Sequence, residues 1–103
     1  MAMETAMISI PEKELVEFCQ RNYIRKLSFF GSILSKNFGP DSDIDILVEF
    51  EPGHTPGFDL IRMQDELSSL FGGRAVDLVT SKFLNKRIRN KVVAEAVIQY
   101  AQR

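Results

Sequence analysis

A chain of 103 residues, 45% hydrophobic and 26% charged, has room for a single domain spanning 1–103, with the balance of an ordinary globular protein. A formal net charge of −1 excludes a bulk polyanion binder and an acidic tail. The lone cysteine, Cys19, excludes an intrachain disulfide and a cysteine zinc site, and fits a reducing, cytoplasmic setting; no apolar run nears the roughly 18 residues of a membrane span.

Residues 1–8 carry no basic start and no long apolar stretch, so a flexible end is expected there and not a secretory signal. Ser9 and Glu12 flank Pro11 in the spacing of a capping box. That predicts a helix to about Arg21, with Leu15, Phe18 and Cys19 inward, which makes Cys19 a small core residue. Leu27 to Phe30 reads as a short strand, ended by Gly31-Ser32, with a short helix from Ile33 to about Lys36 after it. Gly39-Pro40-Asp41-Ser42 is turn chemistry leading into the clearest strand, Asp43 to Phe50. Ile44, Ile46, Val48 and Phe50 share one face of it; Asp43, Asp45, Leu47 and Glu49 share the other. A loop over 51–57 is followed by a helix from Phe58 to Phe71, with Leu60, Met63, Leu67, Leu70 and Phe71 inward. Gly72-Gly73 stops that helix as a left-handed cap. Ala75 to Thr80 is a third strand with Asp77 among apolar residues, and Asn85 to about Ala94 is a helix with a basic exposed side. Val97 to Tyr100 fits either a last strand or a continuation of that helix. The expected fold is α+β, a small mixed sheet with helices mainly on one face.

Asp43 and Asp45 stand two apart on one strand face, about 6.5–7 Å between Cα atoms, so their carboxylates can converge on one cation or straddle two. Without a cation they repel, and one would tend to keep a proton. Oxygen ligands on a rigid strand suit Mg²⁺, which completes its shell with water and substrate phosphates. Asp77 offers a third carboxylate from another strand, making up a two-metal phosphoryl-transfer site. Taken alone, the pair has a plainer reading, with Asp43 a turn residue and Asp45 an exposed strand residue. Two features weigh against that. Aspartate is a poor strand former, yet Asp45 and Asp77 both interrupt apolar strands. A buried carboxylate must also be paired or metal-bound. Gly31-Ser32 taken alone reads as a turn and helix cap; beside the aspartates, Gly31 lets the backbone approach a ligand closely, and Ser32 opens a helix whose free N–H groups and hydroxyl can collect phosphate.

Gly31-Ser32, then ten residues, then Asp43-Ile44-Asp45, resembles the signature of the DNA polymerase β-like nucleotidyltransferase superfamily. Phe29-Phe30-Gly31-Ser32, the run Asp41 to Phe50, and Val76-Asp77-Leu78-Val79-Thr80 look like the minimal nucleotidyltransferase (MNT) family. The resemblance implies a polymerase β-like core, ATP as donor and Mg²⁺ as cofactor. It implies that Asp43, Asp45 and Asp77 are the catalytic metal ligands and that Gly31 and Ser32 hold the triphosphate. Where the family usually carries Arg-Gly, this chain has Ser35-Lys36; Lys36 supplies phosphate with a point charge in place of a planar fork. The family further implies pairing with a HEPN-domain toxin in a hetero-oligomer. The chain would act as antitoxin by moving AMP from ATP to a tyrosine of that toxin. Two rivals are an antitoxin that neutralises by binding alone and a regulatory nucleotide-binding domain without an acceptor.

Lys82, Lys86, Arg87, Arg89 and Lys91 read as a solvated helix face or a docking surface for an acidic partner or a polyphosphate; without interleaved aromatics no direct nucleic-acid contact is expected. His54 reads as a loop residue, Glu51, Asp59, Asp65 and Glu66 as surface charge, and Glu49 as too far along its strand to be a ligand. Phe29, Phe30, Phe50, Phe58 and Phe71 are expected in the core.

Overall fold

The computed structural model describes residues 10–35, 38–39, 41–54, 57, 59–80, 84 and 86–102. Leu15, Phe18 and Cys19 form the buried side of helix α1, Glu12–Arg21. Its N-cap falls on Pro11, without a side-chain cap, and not on Ser9, which lies outside the described residues. Proline has no N–H to satisfy there, and Glu12 and Glu14 complement the dipole in the first turn. Tyr23, at φ 58°, then swings the chain into β1, Ile24–Phe30. This strand starts earlier than the expected Leu27. Arg25-Lys26 breaks the alternation, and a bulge between Ile24 and Lys26 absorbs the break while Ile24 still pairs with Phe50.

Strand β2 is Ile44–Phe50, β3 is Val76–Thr80 and β4 is Val97–Ala101. The sheet order is β3-β2-β1-β4, with β1 antiparallel to β2 and β4, and β2 parallel to β3. A parallel pair needs a crossover, and α2, Asp59–Leu70, supplies it. Gly72 and Gly73 follow α2 at φ 74° and 87°, and the Gly73 N–H donates to Ser68 O at 2.8 Å, which is the left-handed cap expected there. Helix α3, Lys86–Glu95, buries no residue fully and hands over directly to β4, so Val97 to Tyr100 is strand.

One sheet face carries the core. Leu27, Phe29, Ile44, Ile46, Val48, Val76 and Leu78 pack with Leu15 and Phe18 of α1, Met63 and Leu67 of α2, and Phe71 after it. The two helices thus share a face, giving the expected α+β arrangement. Phe30, Phe50, Leu60 and Leu70 are only half-buried, and Phe58 lies outside the described residues. On the opposite face the register sets Ser28, Leu47 and Val79 in one row and Phe30, Asp45 and Asp77 in the next. Leu47 is buried there although it shares its face with aspartates. Among the described residues no helix is long and apolar enough to cross a membrane.

Candidate active site

The parallel register of β2 and β3 puts Asp45 directly beside Asp77, on strands about 4.8 Å apart. Asp43 stands just before β2 and not within it, because the ladder begins where the Ile44 N–H donates to Ala75 O at 2.8 Å. Its charge still reaches Asp45. Burial raises the Asp45 carboxyl above its ordinary value, repulsion from Asp77 and then Asp43 raises it further, and a hydrogen bond from the Ser32 backbone N–H opposes them. Asp45 is half-buried while Asp43 and Asp77 are exposed, so the argument from a buried carboxylate applies to Asp45 alone. Among the described residues no group of three His, Cys, Asp or Glu is drawn in tightly enough to hold an ion as it stands. Like charges facing one another without a cation hold apart.

Strand β1 ends at Gly31, with φ 75°, a backbone conformation that side chains disfavour. A Cβ at this position would collide with Asp45 Oδ2 and lie 3.2 Å from its Cγ. Glycine is therefore needed for conformation and for space, because the Asp45 carboxylate packs against its backbone. The all-oxygen donors of Asp43, Asp45 and Asp77 suit a hard cation such as Mg²⁺. The short helix after β1 is a 3₁₀ turn, Gly31–Leu34, so it starts before the expected Ile33 and ends before Lys36, which lies outside the described residues. Ser32 turns both of its donors toward the aspartates: its N–H to Asp45, and its hydroxyl to Asp43 O at 3.4 Å. Ser35 is exposed.

Two residues passed over in the sequence reading brace this site. Arg74 donates to the backbone of the loop before Asp43, and Gln64 Oε1 of α2 accepts the Leu78 N–H at 2.9 Å, beside Asp77 on the edge strand. Glu49 is engaged by Arg25 at 3.1 Å and Lys26 at 3.4 Å, away from the aspartates. His54 is an exposed loop residue stacked on Tyr23 with ring centroids 4.0 Å apart. Lys86, Arg87 and Lys91 are exposed on α3, Arg89 is half-buried, and Lys82 lies outside the described residues.

A mixed four-stranded sheet with aspartates paired across its parallel strands, beside a Gly-Ser corner, is the architecture of a nucleotidyltransferase. Residues 12–99 match the nucleotidyltransferase domain family, and the chain belongs to it. Its relatives include the protein adenylyltransferase MntA of Thermococcus cleftensis, 34% identical over 99 residues that cover 89% of this chain and 97% of that protein. A solved structure assigned to the minimal nucleotidyltransferases is similar at 34% identity and a TM-score of 0.70, over 84% of this chain and 86% of that one. The structure of a tri-AMPylated Shewanella oneidensis HEPN toxin in complex with an MNT antitoxin contains a chain with the same fold. That likeness has 20% identity and a TM-score of 0.64, over 88% of this chain and 70% of that one.

Proposed function

We propose that this nucleotidyltransferase moves AMP from ATP, with Mg²⁺, to a tyrosine of a HEPN toxin, and so acts as its antitoxin. The observation that carries this is the Asp45–Asp77 pair, with Asp43 alongside and the Gly31 backbone packed against it. The choice of AMP and of a HEPN partner is supported by a relative named a protein adenylyltransferase and by the AMPylated toxin bound to an MNT antitoxin. ATP and a reduced Cys19 fit a cytoplasmic setting.

Asp43, Asp45 and Asp77 are assigned to the cation, Gly31 and Ser32 to the triphosphate, and Lys36 to phosphate charge. Bound Mg²⁺ would neutralise phosphate charge and lower the pKa of the attacking hydroxyl. The chain's own contribution is placement. The Gly31 backbone lets the Asp45 carboxylate pack against it, and the long Ser32 hydroxyl bond of 3.4 Å exchanges readily for a phosphate oxygen. Asp43 and Asp77 are exposed, so an acceptor on a second macromolecule can reach them. The tyrosine oxygen bonds to the α-phosphorus, the bond from that phosphorus to the bridging oxygen breaks, and pyrophosphate leaves. The phenolic proton passes to solvent, to which Asp43 and Asp77 are exposed. A phenol with pKa near 10 is within reach of such activation.

The test is incubation of the chain and its co-purified partner with ATP labelled at the α-phosphate. Label should appear on the partner with Mg²⁺, and disappear with a chelator or with the Asp43→Asn/Asp45→Asn double variant. A partner neutralised but never labelled would support binding alone.

A further inference from the structure

We infer that Arg74 is a positioning residue that fixes Asp43 relative to Asp77; the inference rests on the carboxylate site proposed above. One guanidinium nitrogen, Nη2, donates to Gly39 O at 2.6 Å and to Ser42 O at 2.9 Å, while the guanidinium carbon lies 4.4 Å from the centre of the Phe38 ring. Phe38 is itself buried in the core. The loop is closed on itself, since the Gly39 N–H donates to Ser42 Oγ at 3.0 Å and the Ser42 N–H to Gly39 O at 3.1 Å. Arg74 is anchored in turn by Ser68 of α2, whose hydroxyl donates to Arg74 O at 2.6 Å.

The consequence falls on Asp43. On one side of it the Ser42 carbonyl is held by Arg74; on the other the Ile44 N–H is held by the carbonyl of Ala75, the next residue. Asp43 is bracketed by two consecutive residues at the head of the strand that carries Asp77. The charges acting on Asp45 are those of Asp77 and Asp43, so Arg74 works through the backbone it grips. Carboxylates that repel would drift further apart in a loose loop; the bracket limits that drift. A planar guanidinium can stack on Phe38 and donate to both carbonyls at once, which an aliphatic side chain cannot.

The test uses the full chain and Arg74→Met, with amide hydrogen exchange at residues 42–44 and Mn²⁺ binding, followed by its paramagnetic resonance signal, as readouts. Exchange at Asp43 and Ile44 should quicken about tenfold or more, and Mn²⁺ binding should weaken about tenfold, in a protein that still melts cooperatively. Arg74→Lys, whose ammonium has three donors but no stacking plane, should fall between. Parent-like exchange and parent-like Mn²⁺ affinity in Arg74→Met would overturn the inference. If Arg74→Met does not fold, Arg74→Lys, which keeps the cation but loses the stacking plane, is read against the parent in the same way. Mn²⁺ binding is also measured on the Asp43→Asn/Asp45→Asn variant. If that variant binds as the parent does, the carboxylate reading has failed and the positioning role falls with it. If it loses Mn²⁺ while Arg74→Met does not, only the inference about Arg74 is wrong.

Discussion

Asp45 sits where burial, Asp77 and Asp43 all disfavour its charge, opposed only in part by the Ser32 N–H. In the metal-free protein its folded pKa lies above the unfolded value of 3.8, so the native state binds the extra proton. The resulting stability is fully present below 3.8 and is lost as pH rises through the raised folded value. Melting temperature in a chelator should therefore fall as pH climbs from 3.8 through that value; Asp45→Asn should flatten this fall and melt higher than the parent at neutral pH. An unchanged profile would mean that Asp45 does not carry the shared repulsion. At Gly31 the conformation and the contact act together. Alanine at φ 75° costs about 1–2 kcal/mol before its methyl meets the Asp45 carboxylate. For a domain of this size each kcal/mol is worth roughly 4–8 °C of melting temperature. Gly31→Ala should melt lower by at least that amount and bind ATP–Mg²⁺ more weakly by calorimetry; parent-like values in both would remove Gly31 from the site.

Helix α2 couples packing to the site, because it buries Leu67 and Met63 in the core, caps β3 through Gln64 and anchors Arg74 through Ser68. Leu67 is fully buried, so Leu67→Ala should cost about 2–5 kcal/mol in urea unfolding. A loss well under 1 kcal/mol would show that α2 is not seated as described. The same element shows what a sequence reveals. The periodic inward residues of α1 and α2 and the Gly72-Gly73 stop were readable, because one amphipathic period runs unbroken through each helix. The aspartate-bearing strand was readable from its alternation, but its first pairing at Ile44 was not, since that depends on a carbonyl of Ala75 far along the chain. The early half of β1 was hidden by Arg25-Lys26 and the bulge they occupy, and β4 by its half-exposed residues following directly on a helix. Asp45 and Asp77 were separately visible, yet their adjacency comes from a parallel register that no local pattern encodes. Arg74 left no trace for a different reason: what it grips are main-chain carbonyls of Gly39 and Ser42, which carry no side-chain signature.

At the scale of the whole molecule, the sheet divides the work. One face is closed by α1 and α2 and holds the core, while the carboxylate row lies on the other. That separation leaves Asp43 and Asp77 exposed without exposing the hydrophobic core that holds their strands in register. Lys86, Arg87 and Lys91 are exposed on α3, and docking of the proposed partner there would weaken with added salt, whereas a merely solvated face would show no such dependence. The most direct measurement is the intact mass of a HEPN partner co-expressed with the parent chain and, separately, with the Asp43→Asn/Asp45→Asn variant. The account predicts one or more AMP increments on the partner, mapping to tyrosine, with the parent and none with the variant. A partner that carries the same increments in both, or that is neutralised in both without ever carrying one, would contradict it.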